Sequence, residues 1–219
     1  MPIYQIFFPI LCFLIGAIPV GVLISRGVAK MDITSRGSGN IGATNVAREL
    51  GLKWGVVTLI LDVLKGFLPV FLLQRSFYAE FDIGFLIVSL SPLLGHQFSP
   101  FLKFRGGKGV ATALGIFTAI SPVAALIGLL VFVFTVYVSD YISLGSMTAA
   151  CAMPVILFSL MGSKTPVYAS LIMAFLVCLR HKDNIGRLIR GDERRWKKKG
   201  VRTEDREDDP VHHRSRNVW

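Results

Sequence analysis

The sequence predicts an all-α integral membrane protein that crosses the bilayer several times. Its 219 residues are 53% hydrophobic and only 17% charged, whereas soluble domains carry about 25% charged residues. The first 25 residues contain no charged side chain, and a helix of that length spans a hydrocarbon core of about 30 Å. The three cysteines lie in apolar runs and are odd in number, so a disulfide scaffold is excluded. Lipid is therefore the solvent for most of this chain.

Polar segments divide the chain into seven apolar runs, and each run predicts a transmembrane helix. Ser121-Pro122 divides a long uncharged stretch, because proline lacks an amide hydrogen and disfavours a helical residue before it. Merging the neighbouring short runs gives five helices as the alternative count. The seven predicted helices cover residues 1–25, 54–73, 83–102, 110–120, 122–138, 141–163 and 165–179.

The distribution of Lys and Arg predicts the orientation of these helices. Residues 26–53 contain five basic residues, residues 103–109 contain three, and the tail from Arg180 contains thirteen. Residues 74–82 and the turn near Lys164 carry one each. Because basic residues concentrate on the cytoplasmic side of a membrane, the N-terminus is predicted outside and the C-terminus in the cytoplasm. The alternative count of five helices gives the same orientation.

Three segments on the predicted cytoplasmic side combine glycine with polar and basic residues: 36–48, 103–109 and 180–187. The first contains the pattern G-x-G-x-x-G. A dinucleotide site needs a strand and a βαβ unit around that pattern, and because the sequence predicts neither, such a site is excluded. A P-loop also fails in the second segment, because Leu102 stands where its first glycine belongs and neither Ser nor Thr follows Lys108.

These glycine-rich segments nevertheless have the chemistry of an anion site. Successive backbone N–H groups in such loops bind anions, and Asn40 or Thr44 would cap a helix whose N-terminus faces a phosphate. Arg48 would add a bidentate fork and Lys108 a mobile charge. For each segment alone, a less specific interpretation is that the glycines form turns and the basic residues only set the orientation.

Histidines and charges within the predicted spans are further candidates. His181 and Asn184 lie three positions apart and would share one face of a helix, where the histidine can act as a general base or donate to an oxyanion. Asp62 and Lys65 also lie three apart, so they either neutralise each other inside a span or serve a function. His96 is expected to be structural. No spacing of Cys, His and carboxylates predicts a metal site.

In these segments the chain resembles the PlsY family of bacterial membrane glycerol-3-phosphate acyltransferases. The resemblance rests on residues 37–48, 95–109 and 180–187, and it implies a membrane-embedded acyltransferase domain over residues 1–195. The residues beyond it, 196–219, are charged and poor in apolar side chains, which predicts a flexible cytoplasmic tail.

The resemblance implies an enzyme of the bacterial inner membrane with its site on the cytoplasmic face. It would transfer a fatty acyl group from acyl-phosphate to the sn-1 hydroxyl of glycerol 3-phosphate, giving lysophosphatidic acid and phosphate as the first step of phospholipid synthesis. It implies no metal, CoA or other cofactor and no nucleic acid, and the enzyme that makes acyl-phosphate is the expected functional partner. The implied catalytic residues are Ser38, Arg48, Lys108, His181 and Asn184, with Gly106, Gly107, Gly109 and Ser143 as implied substrate-binding residues. Asn40, Thr44 and Asn45 of the first segment are also predicted to bind substrate.

The chemistry of an acyl-phosphate explains why a familiar catalytic pair is missing. Other glycerolipid acyltransferases use a histidine followed five positions later by an aspartate, but Phe101 follows His96 at that distance and Gly186 follows His181. A mixed anhydride already contains a good leaving group. The protein must therefore mainly neutralise phosphates, hold the hydroxyl near the carbonyl and polarise that carbonyl.

The individual roles are hypotheses. Arg48 and Lys108 would hold the phosphates, with the glycine amides of the second segment around one of them. Ser38 would position a phosphate or the attacking hydroxyl. His181 and Asn184 would stabilise the developing oxyanion or orient the acceptor. The base would be the donor's own phosphate, as the resemblance suggests, or His181.

Two other classes of protein compete with an enzyme. A transporter for a phosphorylated metabolite would also need basic loops and interrupted helices, but the predicted spans over 83–102 and 110–138 offer almost no polar group near the midplane. A membrane anchor with a basic patch would explain the charge but not the glycine, asparagine and serine content.

Overall fold

A computed structural model describes residues 4–73, 83–162 and 164–196, and every regular element in these ranges is helical. The predicted all-α class is therefore confirmed for this part of the chain. Residues 74–82 and 197–219, which include nearly all of the predicted tail, lie outside the described residues. The helices are α1 (Tyr4–Ala17), α2 (Val20–Ala29), α3 (Ala43–Leu50), α4 (Leu52–Leu73), α5 (Ile83–Gln97), α6 (Val110–Ile120), α7 (Pro122–Ser139), α8 (Ile142–Met161), α9 (Lys164–Arg180) and α10 (Lys182–Arg190).

Five segments within the described ranges are long and apolar enough to cross a membrane. Helices α6 and α9 are shorter, with 11 and 17 residues, yet both stay separate from their neighbours as the seven predicted runs require. The count of seven spans and the orientation of the termini stay predictions. The five long segments are Phe7–Ala29, Leu52–Leu72, Ile83–Leu102, Pro122–Ser139 and Ile142–Met161.

Pro19 divides the first predicted span into two helices. The apolar run over residues 1–25 is predicted as one helix, but α1 ends at Ala17 and α2 begins at Val20. The physical cause is that proline has no amide hydrogen and breaks the ladder of helical hydrogen bonds. At the break the Ile18 carbonyl oxygen accepts from the Val20 amide over 3.0 Å and from the Lys65 Nζ atom over 2.9 Å.

The predicted pair inside α4 is confirmed. Lys65 Nζ lies 2.8 Å from a carboxylate oxygen of Asp62, and both side chains are buried. His96 on α5 is also buried, with its Nδ1 atom 3.8 Å from the same oxygen. These contacts join α1, α4 and α5 at one level of the helix bundle.

Glycines allow the membrane helices to approach each other closely. A Cβ atom at Gly66 would lie 2.1 Å from the Thr112 carbonyl oxygen, and one at Gly115 would lie 2.0 Å from the Val63 carbonyl oxygen. Helices α4 and α6 therefore pack backbone against backbone, as small residues permit in membranes. This packing fixes the start of α6, from which the second glycine-rich segment leads back to α5.

The first glycine-rich segment is held against the end of α2. Val22 of α2 forms a buried cluster with Ile33, Ile41 and Val46, which lie before and within α3. Burial of four aliphatic side chains is favourable by several kcal/mol, at about 25 cal/mol per Å². The polar loop between these apolar contacts is thus a rigid part of the fold.

Candidate active site

Residues from all three glycine-rich segments meet around one polar cleft of about 460 Å³. The first segment contributes from the loop before α3, the second from the loop before α6, and the third from the end of α9 and the start of α10. Of the predicted catalytic residues, Ser38, Lys108 and Asn184 line the cleft, and Arg48 and His181 do not. The lining residues are Ser38, Gly39, Asn40, Phe98, Gly106, Gly107, Lys108, Leu179, Arg180, Lys182, Asp183, Asn184 and Arg187.

Asn45 organises the first segment from the inside. Its Oδ1 atom accepts the Ser38 amide hydrogen over 2.9 Å, and its Nδ2 atom donates to the carbonyl oxygens of Asn40 at 2.9 Å and Arg36 at 3.1 Å. The side chain is buried and every polar atom is used within the loop. Asn45, predicted to bind substrate, therefore positions the residues that line the cleft.

The predicted cap of α3 is wrong. Neither Asn40 nor Thr44 caps the helix by its side chain, because α3 begins at Ala43 after Gly42 and Thr44 already lies inside it. Instead the Asn40 Oδ1 atom accepts the Gly42 amide hydrogen over 2.9 Å, which closes a local turn. Asn40 still lines the cleft.

Replacing Asn45 by alanine is expected to raise KM for the phosphorylated acceptor about tenfold. The change leaves the Ser38 amide and several carbonyls without partners, and each such loss costs about 1–3 kcal/mol when the group is buried. Steady-state kinetics on the purified protein measure the effect. Lys53→Ala, a change at an exposed residue just beyond α3, should leave KM unchanged, and an equal rise in both variants would contradict this role of Asn45.

The second segment uses its glycine amides internally. The Gly106 amide donates to the Gln97 carbonyl and the Gly107 amide to the His96 carbonyl, each over 3.1 Å. The expectation that these two amides surround a phosphate is therefore wrong, because the end of α5 already accepts both hydrogens. Gly107 must be glycine, since a Cβ atom there would lie 2.2 Å from the His96 Nε2 atom.

Arg180 fixes this segment from the other side and was not singled out by sequence reasoning. Its guanidinium donates to the carbonyl oxygens of Gly106 and Gly107 and lies 5.6 Å from the ring of Phe98. Because Arg180 also lines the cleft, it joins the second and third segments and adds positive charge. Gly109 lies close to the Leu93 side chain and does not line the cleft.

Lys108 is the central cation of the cleft. Its Nζ atom donates to the Asn184 Oδ1 atom, so the predicted second and third segments meet through two predicted catalytic residues. Burial lowers the pKa of Lys108 to about 8; the Glu193 carboxylate opposes this shift, and the nearby Arg187 and Arg48 add to it. The lysine is therefore mostly protonated at neutral pH and loses its charge just above it.

His181 lies behind the cleft with one nitrogen already bonded. Its Nδ1 atom is 2.8 Å from the Val177 carbonyl oxygen, and because a carbonyl only accepts, this nitrogen carries the hydrogen. Burial, together with the charge of Lys108, lowers the pKa of His181 to about 4. The ring is neutral at pH 7, so Nε2 is an acceptor, which argues against donation of a hydrogen bond to an oxyanion.

Glu193 is the second residue that sequence reasoning missed. Its carboxylate accepts from Ser143 Oγ at 2.7 Å, Asn184 Nδ2 at 2.6 Å and Arg187 Nε at 2.6 Å. Burial favours the neutral form, but these three hydrogen bonds outweigh it and lower the pKa of Glu193. Ser143, predicted to bind substrate, is thus bonded to Glu193 and does not line the cleft.

Glu193 belongs to a strap, residues 192–196, that ties the site together after α10. Within it, Arg194 donates to the Gly37 carbonyl over 3.2 Å, and the Trp196 amide donates to the Asp140 carbonyl over 2.8 Å. The described contacts therefore continue one residue past the predicted domain end at 195. Arg48, exposed on α3, interacts electrostatically with Glu193 and Arg194 instead of lining the cleft.

Comparison with known proteins identifies the family of this chain. A sequence model of the glycerol-3-phosphate acyltransferase family matches residues 6–191, which include the three segments and most of the helices. The chain belongs to the glycerol-3-phosphate acyltransferase family. It is accordingly a membrane acyltransferase of lipid biosynthesis.

Individual members of the family match over nearly their whole length. The glycerol-3-phosphate acyltransferase of Syntrophotalea carbinolica is 45% identical over 186 residues, which cover 84% of this chain and 94% of that protein. That of Desulfotalea psychrophila is 45% identical over 195 residues, covering 88% and 98%.

Two crystal structures share the fold. PlsY (YgiH), an integral membrane glycerol 3-phosphate acyltransferase, is 37% identical in its glycerol 3-phosphate form, with a TM-score of 0.84 over 88% of this chain and 96% of that one. Its lysophosphatidic acid form gives a TM-score of 0.81 at the same identity, over 88% of this chain and 95% of that one. Among the described residues of this chain, no group of three or more His, Cys, Asp and Glu is placed to hold a metal ion.

Proposed function

We propose that the chain transfers a fatty acyl group from acyl-phosphate to the sn-1 hydroxyl of glycerol 3-phosphate, giving lysophosphatidic acid and phosphate. The observation that carries this proposal is the meeting of three glycine-rich segments at one cationic cleft. Among the residues that the structure describes, one acidic side chain, Asp183, lines the cleft together with four basic ones: Lys108, Arg180, Lys182 and Arg187. Such a cleft favours a ligand with several phosphate charges.

The reaction needs few protein groups. The acceptor hydroxyl oxygen attacks the carbonyl carbon of the acyl-phosphate, the bond from that carbon to the phosphate oxygen breaks, and phosphate leaves with the electron pair. The hydroxyl proton passes to the departing phosphate; the alternative acceptor is the Nε2 atom of His181, a buried residue that lies behind the cleft and does not line it. Lys108 stabilises the phosphate charge, and Ser38 and Asn184 hold the acceptor close to the carbonyl.

The acyl chain would leave the cleft toward lipid beside Phe98 and Leu179. These two residues are the large apolar side chains among the described residues that line the cleft. Leu179 follows Ile172 and Phe175 on the outer face of α9, where all three side chains are exposed. A membrane-borne donor and product could therefore exchange with the bilayer beside Leu179.

We further propose that the site faces the cytoplasm of a bacterial inner membrane. The basic segments meet on one side of the helices, and basic residues accumulate on the cytoplasmic side. The acyl-phosphate would come from a separate upstream enzyme, and no metal, CoA or nucleic acid would take part.

Replacing His181 by glutamine is expected to lower kcat about tenfold, the effect of losing one well-placed hydrogen bond, while the ascending limb of the kcat/KM profile against pH persists. With a pKa of about 4, His181 is a weak base, and the donor's phosphate is the better proton acceptor. Initial rates measured from acidic to neutral pH test this. Loss of the ascending limb in the variant would identify His181 as the base.

The decisive experiment supplies palmitoyl-phosphate and glycerol 3-phosphate to the purified protein in detergent, without metal, CoA or any other protein. Phosphate release that requires both substrates is the expected result. Failure to release phosphate, together with uptake of glycerol 3-phosphate into liposomes, would instead support a transporter.

A further inference from the structure

A short aromatic tip, residues 100–105, projects from the loop between α5 and α6 and has no part in the proposed reaction. Phe101 and Phe104 are 62% and 63% exposed, although both are large apolar side chains. Lys103 and Arg105 beside them are exposed as well. Exposed aromatic residues interleaved with cations mark an interaction surface.

The tip holds its phenylalanines outward at a conformational cost. Lys103 and Phe104 have φ angles of 51° and 62°, a left-handed conformation that side chains with a Cβ atom seldom adopt. Strained backbone persists only where the surroundings enforce it and is concentrated at functional sites. The exposure of the two rings is therefore enforced by the fold.

Two anchors make the tip rigid. The Phe104 amide donates to the Ser99 carbonyl over 2.9 Å, and the Ser99 hydroxyl donates to the Ala17 carbonyl at the end of α1 over 2.6 Å. Leu102, between the two phenylalanines, points inward onto the buried cluster around Val22 of α2. The tip thus moves as one body with the membrane helices.

The tip follows directly from a segment that can cross the membrane. Residues Ile83–Leu102 are long and apolar enough to span a bilayer, so Phe101 lies at the end of this segment and Phe104 just beyond it.

We propose that the aromatic tip is an interfacial anchor, which inserts Phe101 and Phe104 into the leaflet beside the cleft and places Lys103 and Arg105 against anionic headgroups. Continuity with the apolar segment Ile83–Leu102 selects lipid as the occupant, and the two cations complement an anionic surface. Gly106 follows the tip directly and lines the cleft. The anchor therefore holds the mouth of the cleft at headgroup level, where a membrane-borne donor arrives.

The direct test measures the depth of the tip. Phe104→Trp is reconstituted as the full chain in vesicles of phosphatidylethanolamine and phosphatidylglycerol with brominated acyl chains, and its fluorescence is compared with that of the unsubstituted protein. Phe134→Trp, on the outer face of α7, is the positive control for lipid contact. We expect bromolipid to quench the added indole as in the control, and aqueous iodide not to quench it. Quenching by iodide alone would overturn the proposal and indicate a surface for a soluble partner.

A second measurement tests the charges. In the Phe104→Trp background, Lys103→Gln with Arg105→Gln should make quenching insensitive to the phosphatidylglycerol content, because each cation near an anionic surface changes binding about fivefold. Equal sensitivity with and without the two cations would contradict their assignment to headgroups.

A third measurement rests on the proposed function. Phe101→Ser with Phe104→Ser should raise KM for palmitoyl-phosphate about tenfold, from the lost apolar burial, and leave KM for water-soluble butyryl-phosphate and for glycerol 3-phosphate unchanged. Phe134→Ser, the matched control, should change none of them. An equal rise in KM for both donors would contradict membrane delivery. If the unsubstituted protein shows no turnover at all while the indole of Phe104→Trp is quenched by bromolipid as expected, the proposed reaction is rejected and the anchor is retained.

Discussion

Replacing Lys108 by methionine is expected to lower kcat/KM by about 10²–10³-fold, the effect of removing one preorganised donor to a developing charge. Lys108 is the predicted catalytic cation that lies within the cleft, and its Nζ atom is held by the Asn184 carboxamide. Methionine keeps the length and apolar stem of the side chain but removes the charge. The loss should therefore appear in turnover of both substrates, with little change in the thermal unfolding midpoint.

The same lysine should set an alkaline limit on activity. With a pKa of about 8, the free enzyme loses this charge as pH rises through 8, so kcat/KM should fall across that range. Bound phosphate stabilises the protonated form, and the corresponding fall in kcat should lie at higher pH. Lys108→Arg keeps the charge at all these pH values and should abolish the alkaline limb even if its rate is lower.

Lys182→Met provides the matched comparison. Lys182 also lines the cleft but is exposed, so water screens its charge and its loss should lower kcat/KM less than about fivefold. Initial rates of phosphate release measure both variants. Equal losses for Lys108→Met and Lys182→Met would show that the cleft needs only diffuse positive charge, and would contradict a specific role for Lys108.

Replacing Glu193 by alanine is expected to destabilise the fold by about 3 kcal/mol, because removal of one partner from a buried ionic network leaves the others unpaired. The variant leaves Ser143, Asn184 and Arg187 without the carboxylate that accepts from all three. The thermal unfolding midpoint in detergent should fall by about 6–12 °C for a chain of this size. Because Asn184 also holds Lys108, KM for glycerol 3-phosphate should rise as well.

The neighbouring acid is the control. Asp192 is exposed and pairs with Arg190 on the surface at 3.3 Å, so Asp192→Ala should change stability by less than about 0.5 kcal/mol. The pKa of Glu193 is lower in the folded protein than its usual value of about 4.5. The contribution of Glu193 to the free energy of unfolding is therefore present above pH 4.5 and is lost as pH falls through the pKa of the folded state. Equal midpoints for Glu193→Ala and the parent would contradict the strap's structural role.

The sequence predicts which residues lie at the cleft better than it predicts the role of each residue. Lys108 and Asn184 are expected in the site because glycine-rich polar and basic segments occur on one predicted side of the membrane, and Ser38 is expected there because the resemblance implies it. Asn45 carried the same polar signature, yet its side chain turns inward. Whether an amide faces substrate or its own loop depends on contacts that residue type does not encode.

The missed residues share one reason. Glu193 bonds to Ser143, 50 positions away, and Arg180 bonds to Gly106, 74 positions away. In the sequence both residues lie in a charged stretch where basic and acidic side chains are ordinarily solvated. Only the packing of α8 and α10 beside the strap, and of α9 against the loop between α5 and α6, brings their partners within hydrogen-bonding distance.

The sequence by itself determined the helical membrane class, the apolar runs, the uneven distribution of basic residues and the three segments that carry the resemblance, because hydrophobic length and charge are local properties of a chain. The tertiary structure decided that Pro19 divides the first span, that the glycine amides of the second segment bond to α5, and that the strap closes over Ser143 and Asn184. These features rest on contacts between residues distant in sequence, and such contacts exist only once the helices have packed.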